Sequence, residues 1–361
     1  MSGNTTNATP QSILVFRIGS LGDILIAVPS FWRLRKAFPE AKLTLLSDSS
    51  AGNPKKVAAA EILPPSGLFD DYLTYRDGTH LADAAKLLWE IRKRRFDLLV
   101  YLMPRTRNAT SIFRDRVALR LAGIKQIVGM GHLSRRRLAV NAPFRSASVE
   151  RESDFLWNCL SADGIDGDDW PKRADLAISD EERKQAAAFI SAELGDDVAG
   201  RRFMAIAPGS KWTSKIWPAE RFVKVLLEIR RDSPIVPIVF GDRFEFPIGE
   251  RILRESGGGI NAAGRLSIRC SAAAMELCDF YLGNDTGAMH LAAAAGKPCI
   301  AIFAAIDWLG RWFPVGNGHR ILRESIECEG CHLAKCPIGG QCIKMISVDR
   351  VIASCREVLS H

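Results

Sequence analysis

The sequence predicts an α/β protein built as two doubly wound parallel sheets facing a central cleft. Three observations carry that reading. Short β-branched runs bounded by glycine alternate with stretches at helical spacing, the pattern of strands and crossover helices. The alternation occurs twice, with a polar, acidic stretch that includes "DGIDGDDWP" between the halves. The chain has 361 residues, a length suited to two domains. Rossmann-like domains of this kind carry ligands on the loops that leave the C-terminal ends of their strands.

The elements follow in order. "SILVFRI" is a buried strand, and from Asp23 to Phe38 the apolar residues fall at helical spacing with a kink expected at Pro29. Then come "KLTLLSD", an alanine-rich stretch, "DYLTY", a helix over 79–95, and "FDLLVYLM". A helix over 151–162 closes the first half. In the second half "FMAIAPGS" is a strand, and 218–231 is a helix with Pro218 in its first turn. "IVPIVFG" is a strand, 244–256 a helix stopped by three glycines, and "DFYLGN" a strand. A helix over 286–295 is closed by Gly296, and "PCIAIF" is a strand. The boundaries expected are 1–170 for the first domain, with a loose tail over 1–11 and a linker at about 163–180. The second domain covers 171–346, and a last helix in 347–361 is expected to pack back on the first.

Hydrophobic residues make up 47% and charged residues 25% of the chain, which suits a soluble globular protein. No apolar run approaches the ~18 residues of a membrane span, and the polar start "MSGNTTNATPQS" does not read as a signal peptide. Nine cysteines, an odd number, suggest reduced thiols and a cytoplasmic setting. The net charge of +8 is uneven: between Arg92 and Arg145 stand 14 Lys/Arg against two acids, Asp97 and Asp115. That window reads either as solvated helix faces or as a surface for a polyanion: nucleic acid, anionic lipid or a phosphorylated glycan.

Three loops of the second half suit a nucleotide diphosphate. "APGSKWTSKIWP" offers the hydroxyls of Ser210, Thr213 and Ser214 and the cations Lys211 and Lys215 ahead of a helix. In "GNDTGAMHLAAAAGKP", Asp285 or Thr286 caps a helix, Gly287 admits close approach, and His290 follows in its first turn or so. In "FGDRFE", Glu245 is placed to accept from two ribose hydroxyls, and equally to be a plain helix N-terminal acid. Neither G-x-x-x-x-G-K-[ST] nor G-x-G-x-x-G is present, which counts against kinases and dehydrogenases.

The first loop, "RIGSLGDILIAVP", carries a carboxylate where a phosphate loop would carry lysine. Gly19 and Gly22 clear space, and the helix dipole favours the ionised form of Asp23. A weak base of this kind suffices when an attacking alcohol turns acidic only as it meets an oxocarbenium-like carbon, as in glycosyl transfer. Structural capping is the alternative.

With that loop, "PGSKWTSKIWPAERF", "GNDTGAMHLAAAAGKP" and "CEGCHLAKCPIGGQC", the sequence resembles the family 9 glycosyltransferases, the heptosyltransferases of the lipopolysaccharide inner core. The resemblance covers nearly the whole chain. It implies a GT-B fold, with donor in the second domain and acceptor in the first. It implies inversion at the anomeric carbon and no metal for catalysis. It places the general base on Asp23, the phosphate-binding pair on Ser210 and Lys211, and the lysine before "WP" on Lys215. The ribose-binding glutamate falls on Glu245 and the D-T-G loop on Asp285, Thr286 and Gly287, with His290 in register. At Lys211 the sequence departs from the family's hydroxyl. The donor implied is ADP-heptose or another nucleotide-diphosphate sugar, and no cofactor is required. The acceptor implied is an anionic lipid-linked glycan, the lipopolysaccharide core, met at the cytoplasmic face of the inner membrane. Arg135, Arg136 and Arg137 are the expected acceptor cations.

Cys328, Cys331, Cys336 and Cys342, spaced C-x2-C-x4-C-x5-C around His332, suit a structural zinc knuckle, packing thiols or a labile disulfide. Two other functions compete. A nucleotide-sugar sensor without transfer activity would share the donor loops. A nucleic-acid-binding protein would explain the basic window but not Asp23 on a glycine loop.

Overall fold

The computed structural model of the chain describes residues 9–48, 57–75, 81–139, 148–167, 172–195 and 200–360. Their contacts fall into two compact units. One holds the described residues of Met1–Ser20, Ala27–Val140 and Glu152–Pro171; the other holds those of Leu21–Ile26, Asn141–Arg151 and Lys172–His361.

In chain order the first half gives β1 (Ser12–Phe16), α1 (Leu21–Leu25), α2 (Val28–Ala37), β2 (Lys42–Asp48), α3 (Ala59–Ile62) and β3 (Asp71–Tyr75). It continues with α4 (Leu81–Arg94), β4 (Leu98–Tyr101), α5 (Ala109–Leu121), β5 (Gln126–Val128), α6 (Met130–Arg135) and α7 (Glu152–Ser161). The five strands pair in parallel in the order β3-β2-β1-β4-β5. Ile13 to Phe16 are buried along β1, as a central strand covered on both faces requires. The predicted single helix from Asp23 divides in two. Pro29 sits in the first turn of α2, where its missing N–H costs nothing, and so starts a helix instead of kinking one. Arg33, 1% exposed, donates to the carbonyls of Trp157 and Ile165 and to Ser161 Oγ, pinning α2 to α7.

The second half gives α8 (Asp180–Leu194), β6 (Arg202–Ala207), α9 (Ala219–Asp232), β7 (Ile235–Val239), α10 (Phe246–Glu255), β8 (Ile260–Asn261) and α11 (Ile268–Glu276). It ends with β9 (Phe280–Asn284), α12 (Gly287–Ala294), β10 (Cys299–Phe303), β11 (Arg320–Arg323), α13 (Gln341–Lys344) and α14 (Val348–Leu359). Its parallel strands run β11-β10-β9-β6-β7-β8, the six-stranded doubly wound order. Phe222, Val225, Leu226 and Ile229 form the apolar stripe of α9 and join one core with β6, β9 and β10. Val351, Ile352 and Cys355 of α14 belong to the same core. The last helix packs within the second unit, against α9, because its apolar face matches that stripe. Arg269 of α11 clamps Glu182 of α8 through two bonds of 2.5 and 2.9 Å and holds that carboxyl down to about 2.

Candidate active site

In the second sheet the strand order reverses between β6 and β9, the switch point where doubly wound sheets open a crevice. The loops that leave these two strands are "PGSKWTSK" and the start of "DTG". One side chain ties them together. Asn284, fully buried at the end of β9, donates to the carbonyls of Pro208 and Gly209 and accepts from the Trp217 N–H. Both loops thus have one origin.

Lys215 leaves the short 3₁₀ turn Thr213–Lys215 and bonds Asp285 at 2.6 Å, with side-chain exposures of 17% and 6%. Burial pushes the Asp285 carboxyl up against the opposing pull of Lys215. Asp285 is thus the partner of Lys215 and not the helix cap. Thr286 holds the cap position of α12 and makes no side-chain capping bond. Thr213 and Ser214 use their hydroxyls within the protein. They donate to the Ala334 and Leu333 carbonyls at 3.3 and 2.6 Å, fastening the loop to the cysteine-bearing segment. Ser210 stays near the loop tip, where its Oγ accepts from the Trp212 N–H at 3.2 Å, and Lys211 is exposed beside it.

Glu245 stands at the cap position of α10, and its Oε2 accepts from the Asp242 N–H at 2.9 Å. Two glycines wall its seat. A methyl on Gly209 would fall 1.9 Å from Glu245 Oε1, and one on Gly241 would fall 2.4 Å from Oε2. Gly209 of the loop after β6 therefore makes room for the carboxylate of the loop after β7.

Asp23, half-buried, lies in the first turn of α1, and α1 packs on α12. The fit is close. A methyl on Gly22 would meet His290 Cδ2 at 3.0 Å, and one on Gly287 would meet the Leu21 side chain at 2.9 Å. The segment that carries Asp23 thus keeps company with the D-T-G helix, while Gly19, at φ 138°, stays with the first unit and donates to Asp48 Oδ1 at 2.9 Å.

His290 is 5% exposed, and among the described residues its Nδ1 has no hydrogen-bond partner. Burial, followed by Lys215 and His319, lowers its pKa to about 3. The ring stays neutral at physiological pH and contacts Trp312 edge-on. Between the ordinary 6.5 and about 3, the unfolded chain takes up a proton that folded His290 refuses, so stability falls as pH falls through that window. Urea unfolding of His290→Gln is expected to show a shallower loss from about pH 7 to about pH 4 than the parent chain. An unchanged slope would mean that the ring is solvated.

Arg135, Arg136 and Arg137 are exposed at the end of α6 in the first unit. Not all of the basic window faces water. Arg105 is 5% exposed, and Arg107 is bound to Asp115 at 2.6 Å. Cys328, Cys331, Cys336 and Cys342 line one small pocket with Ser214 and Ile306. All nine cysteines are free, and burial pushes the Cys328 and Cys342 thiols up. Among the described residues no group of three or more His, Cys, Asp and Glu side chains is arranged to hold a metal.

Residues 85–341 match glycosyltransferase family 9 (heptosyltransferase). The chain belongs to this family. Lipooligosaccharide heptosyltransferase 2 of Campylobacter jejuni is 24% identical over 167 residues, 45% of this chain and 52% of the relative, so the chain spans about half the length of that relative. The lipopolysaccharide core heptosyltransferase OpsX of Haemophilus influenzae is 22% identical over 306 residues, 82% of this chain and 79% of its own. The solved E. coli ADP-heptose lps heptosyltransferase II superposes with a TM-score of 0.67 at 17% identity, covering 97% of this chain and 98% of that one. The family 9 chain thus carries the expected α/β fold of GT-B type, two parallel doubly wound sheets.

Three neighbours of these loops carry no mark in the sequence that ties them to the site. Asn284 was visible as a polar residue ending an apolar strand. Asp307 and Arg311 follow β10, a loop with no motif to mark it. Trp312 Nε1 donates to Asp307 Oδ2 at 2.7 Å, and the Arg311 guanidinium lies 5.4 Å over Trp308 and 4.6 Å over Trp312. Both charges act on Asp285, Asp307 raising its pKa and Arg311 lowering it.

Proposed function

We propose that this chain is an inverting glycosyltransferase that moves a heptose from ADP-heptose onto a lipid-linked core glycan. The observation that carries the reading is the meeting of Lys215, Asp285, Glu245 and the α12 N-terminus at one switch point, with Asp23 on a helix packed against α12. In this reading the diphosphate lies at the N-terminus of α12, where free N–H groups and the helix dipole favour negative charge. Ser210, Lys211 and Lys215 supply further donors. Glu245, fixed in its glycine seat, accepts from the ribose hydroxyls. Asp285 orients Lys215, and Gly287 lets the ligand approach the backbone. The names of the relatives support heptose as the sugar and the lipopolysaccharide core as the acceptor.

The chemistry follows from charge. As the bond from the anomeric carbon to the diphosphate stretches, negative charge grows on the leaving oxygen beside Lys215, and positive charge grows on the carbon. The acceptor hydroxyl attacks that carbon from the opposite face and becomes acidic as it bonds. Asp23 takes its proton, the nucleoside diphosphate departs, and the configuration inverts. Lys215 and the helix dipole stabilise the leaving group, so no metal is needed in this account, and chelator is expected to leave the rate unchanged. Arg135, Arg136 and Arg137 pair with acceptor anions in the first unit.

The function is tested by incubating the chain with a panel of nucleotide-diphosphate sugars and a lipid-linked core acceptor, with mass spectrometry of the product. Transfer from ADP-heptose supports the reading; consumption of none of the donors overturns it. The seat of Glu245 gives a sharper result. Gly209→Ala must displace that carboxylate, so it and Glu245→Ala are each expected to weaken ADP binding about tenfold. The double variant should lose little more, since both changes remove one interaction. Additive losses by calorimetry would contradict the shared seat.

A further inference from the structure

Helix α5 is apolar on two sides. Ile112 and Leu119 are buried in the first unit, yet Phe113, Val117 and Leu121 stand 67%, 42% and 69% exposed at positions i, i+4 and i+8. A helix repeats every ~3.6 residues, so these three make one outward stripe. On α4, Trp89 is 61% exposed, with the Lys93 ammonium 5.2 Å over its ring. Arg92 Nη1 donates to the Leu121 carbonyl at 2.8 Å, which brings the C-terminal ends of the two helices together.

The setting of this stripe is basic. At ~100° per residue, Arg116 and Arg120 point within ~60° of Phe113, and both are exposed, as are Lys86, Arg92 and Lys93. Of the carboxylates on the two helices, Asp83 is exposed in the first turn of α4, and the other two are engaged. Asp115 is buried against Arg107 and Arg114, and Glu90 holds Arg94. Exposed large apolar groups ringed by cations suit a surface that is apolar below and anionic at its rim. A second copy of the chain fits poorly, because two such basic faces would repel each other.

We propose that the outer face of α4 and α5 docks on an anionic phospholipid bilayer, with Phe113, Leu121 and Trp89 entering the headgroup region and the surrounding Arg and Lys pairing with lipid phosphates. This extends the lipid-linked-acceptor reading, but its test uses neither donor nor acceptor, so the two fail separately. The intact chain is sedimented with vesicles of phosphatidylethanolamine and phosphatidylglycerol, and with vesicles of phosphatidylcholine alone. The expected result is binding to the first only, weakened by salt. Phe113→Ser with Leu121→Ser, and separately Arg116→Glu with Arg120→Glu, should each lower partitioning about tenfold or more while leaving the melting temperature near the parent's. Four results overturn the proposal. They are equal binding to both vesicle types, binding unaffected by either pair, loss of a dimer in vesicle-free solution on removing the stripe, and oligonucleotide binding that depends on the same residues and exceeds vesicle binding.

Discussion

Asp23→Asn is expected to lower turnover by ~10²–10⁴ while donor affinity stays within about twofold of the parent's. The substitution keeps shape and removes the ability to accept a proton. It leaves the packing of α1 on α12 intact, because Leu21 and Gly22 make the close contacts with Gly287 and His290. The loss should therefore appear in kcat and not in donor binding. A nucleotide-sugar sensor would be indifferent to the change, since it performs no transfer. Equal loss of donor affinity and turnover would make Asp23 a donor anchor instead of a base. Full activity would remove it from the chemistry altogether.

Lys215→Met is expected to cost both stability and function. The side chain is 17% exposed and its partner Asp285 only 6%, so the change strands a buried carboxylate. Breaking a buried pair of this kind costs about 3–5 kcal/mol. Burial raises the Asp285 pKa, so the folded state holds that proton more readily than the unfolded one. The destabilisation should therefore shrink as pH falls into the carboxylate range and be fully present near neutrality. Adding Asp285→Asn should restore most of the stability but none of the donor affinity, because the cation is still missing. Denaturant unfolding at two pH values separates these effects. A Lys215→Met chain as stable as its parent would place that pair in solvent.

Much of the fold was legible because parallel strands write themselves as short apolar runs. "SILVF", "KLTLLSD", "RFMAIA" and "FYLGN" all fall where the sequence pattern places strands, to within three residues at either end. The short edge strand Ile260–Asn261 and the helix α6 are too brief to show a period, and α5 hides its period by carrying apolar residues on two faces. The partners of the site were less legible than its positions. Spacing gave Asp285 and Lys215 as separate candidates, but nothing in it told that they bond each other, since they stand 70 positions apart. Likewise the use of Thr213 and Ser214 as fasteners depends on carbonyls more than a hundred residues away. The packing of α1 against α12 is also long-range. It joins residues 21–26 to the unit that the rest of the early chain does not belong to.

Calorimetric titration of ADP-heptose into the intact chain, beside its Glu245→Gln and Lys215→Met variants, tests the donor site directly. The account predicts one saturable site in the parent, weakened about tenfold or more by each replacement. Binding of the parent's strength in both variants would show that the nucleotide sits elsewhere, and would contradict the assignment of the β6 and β9 loops.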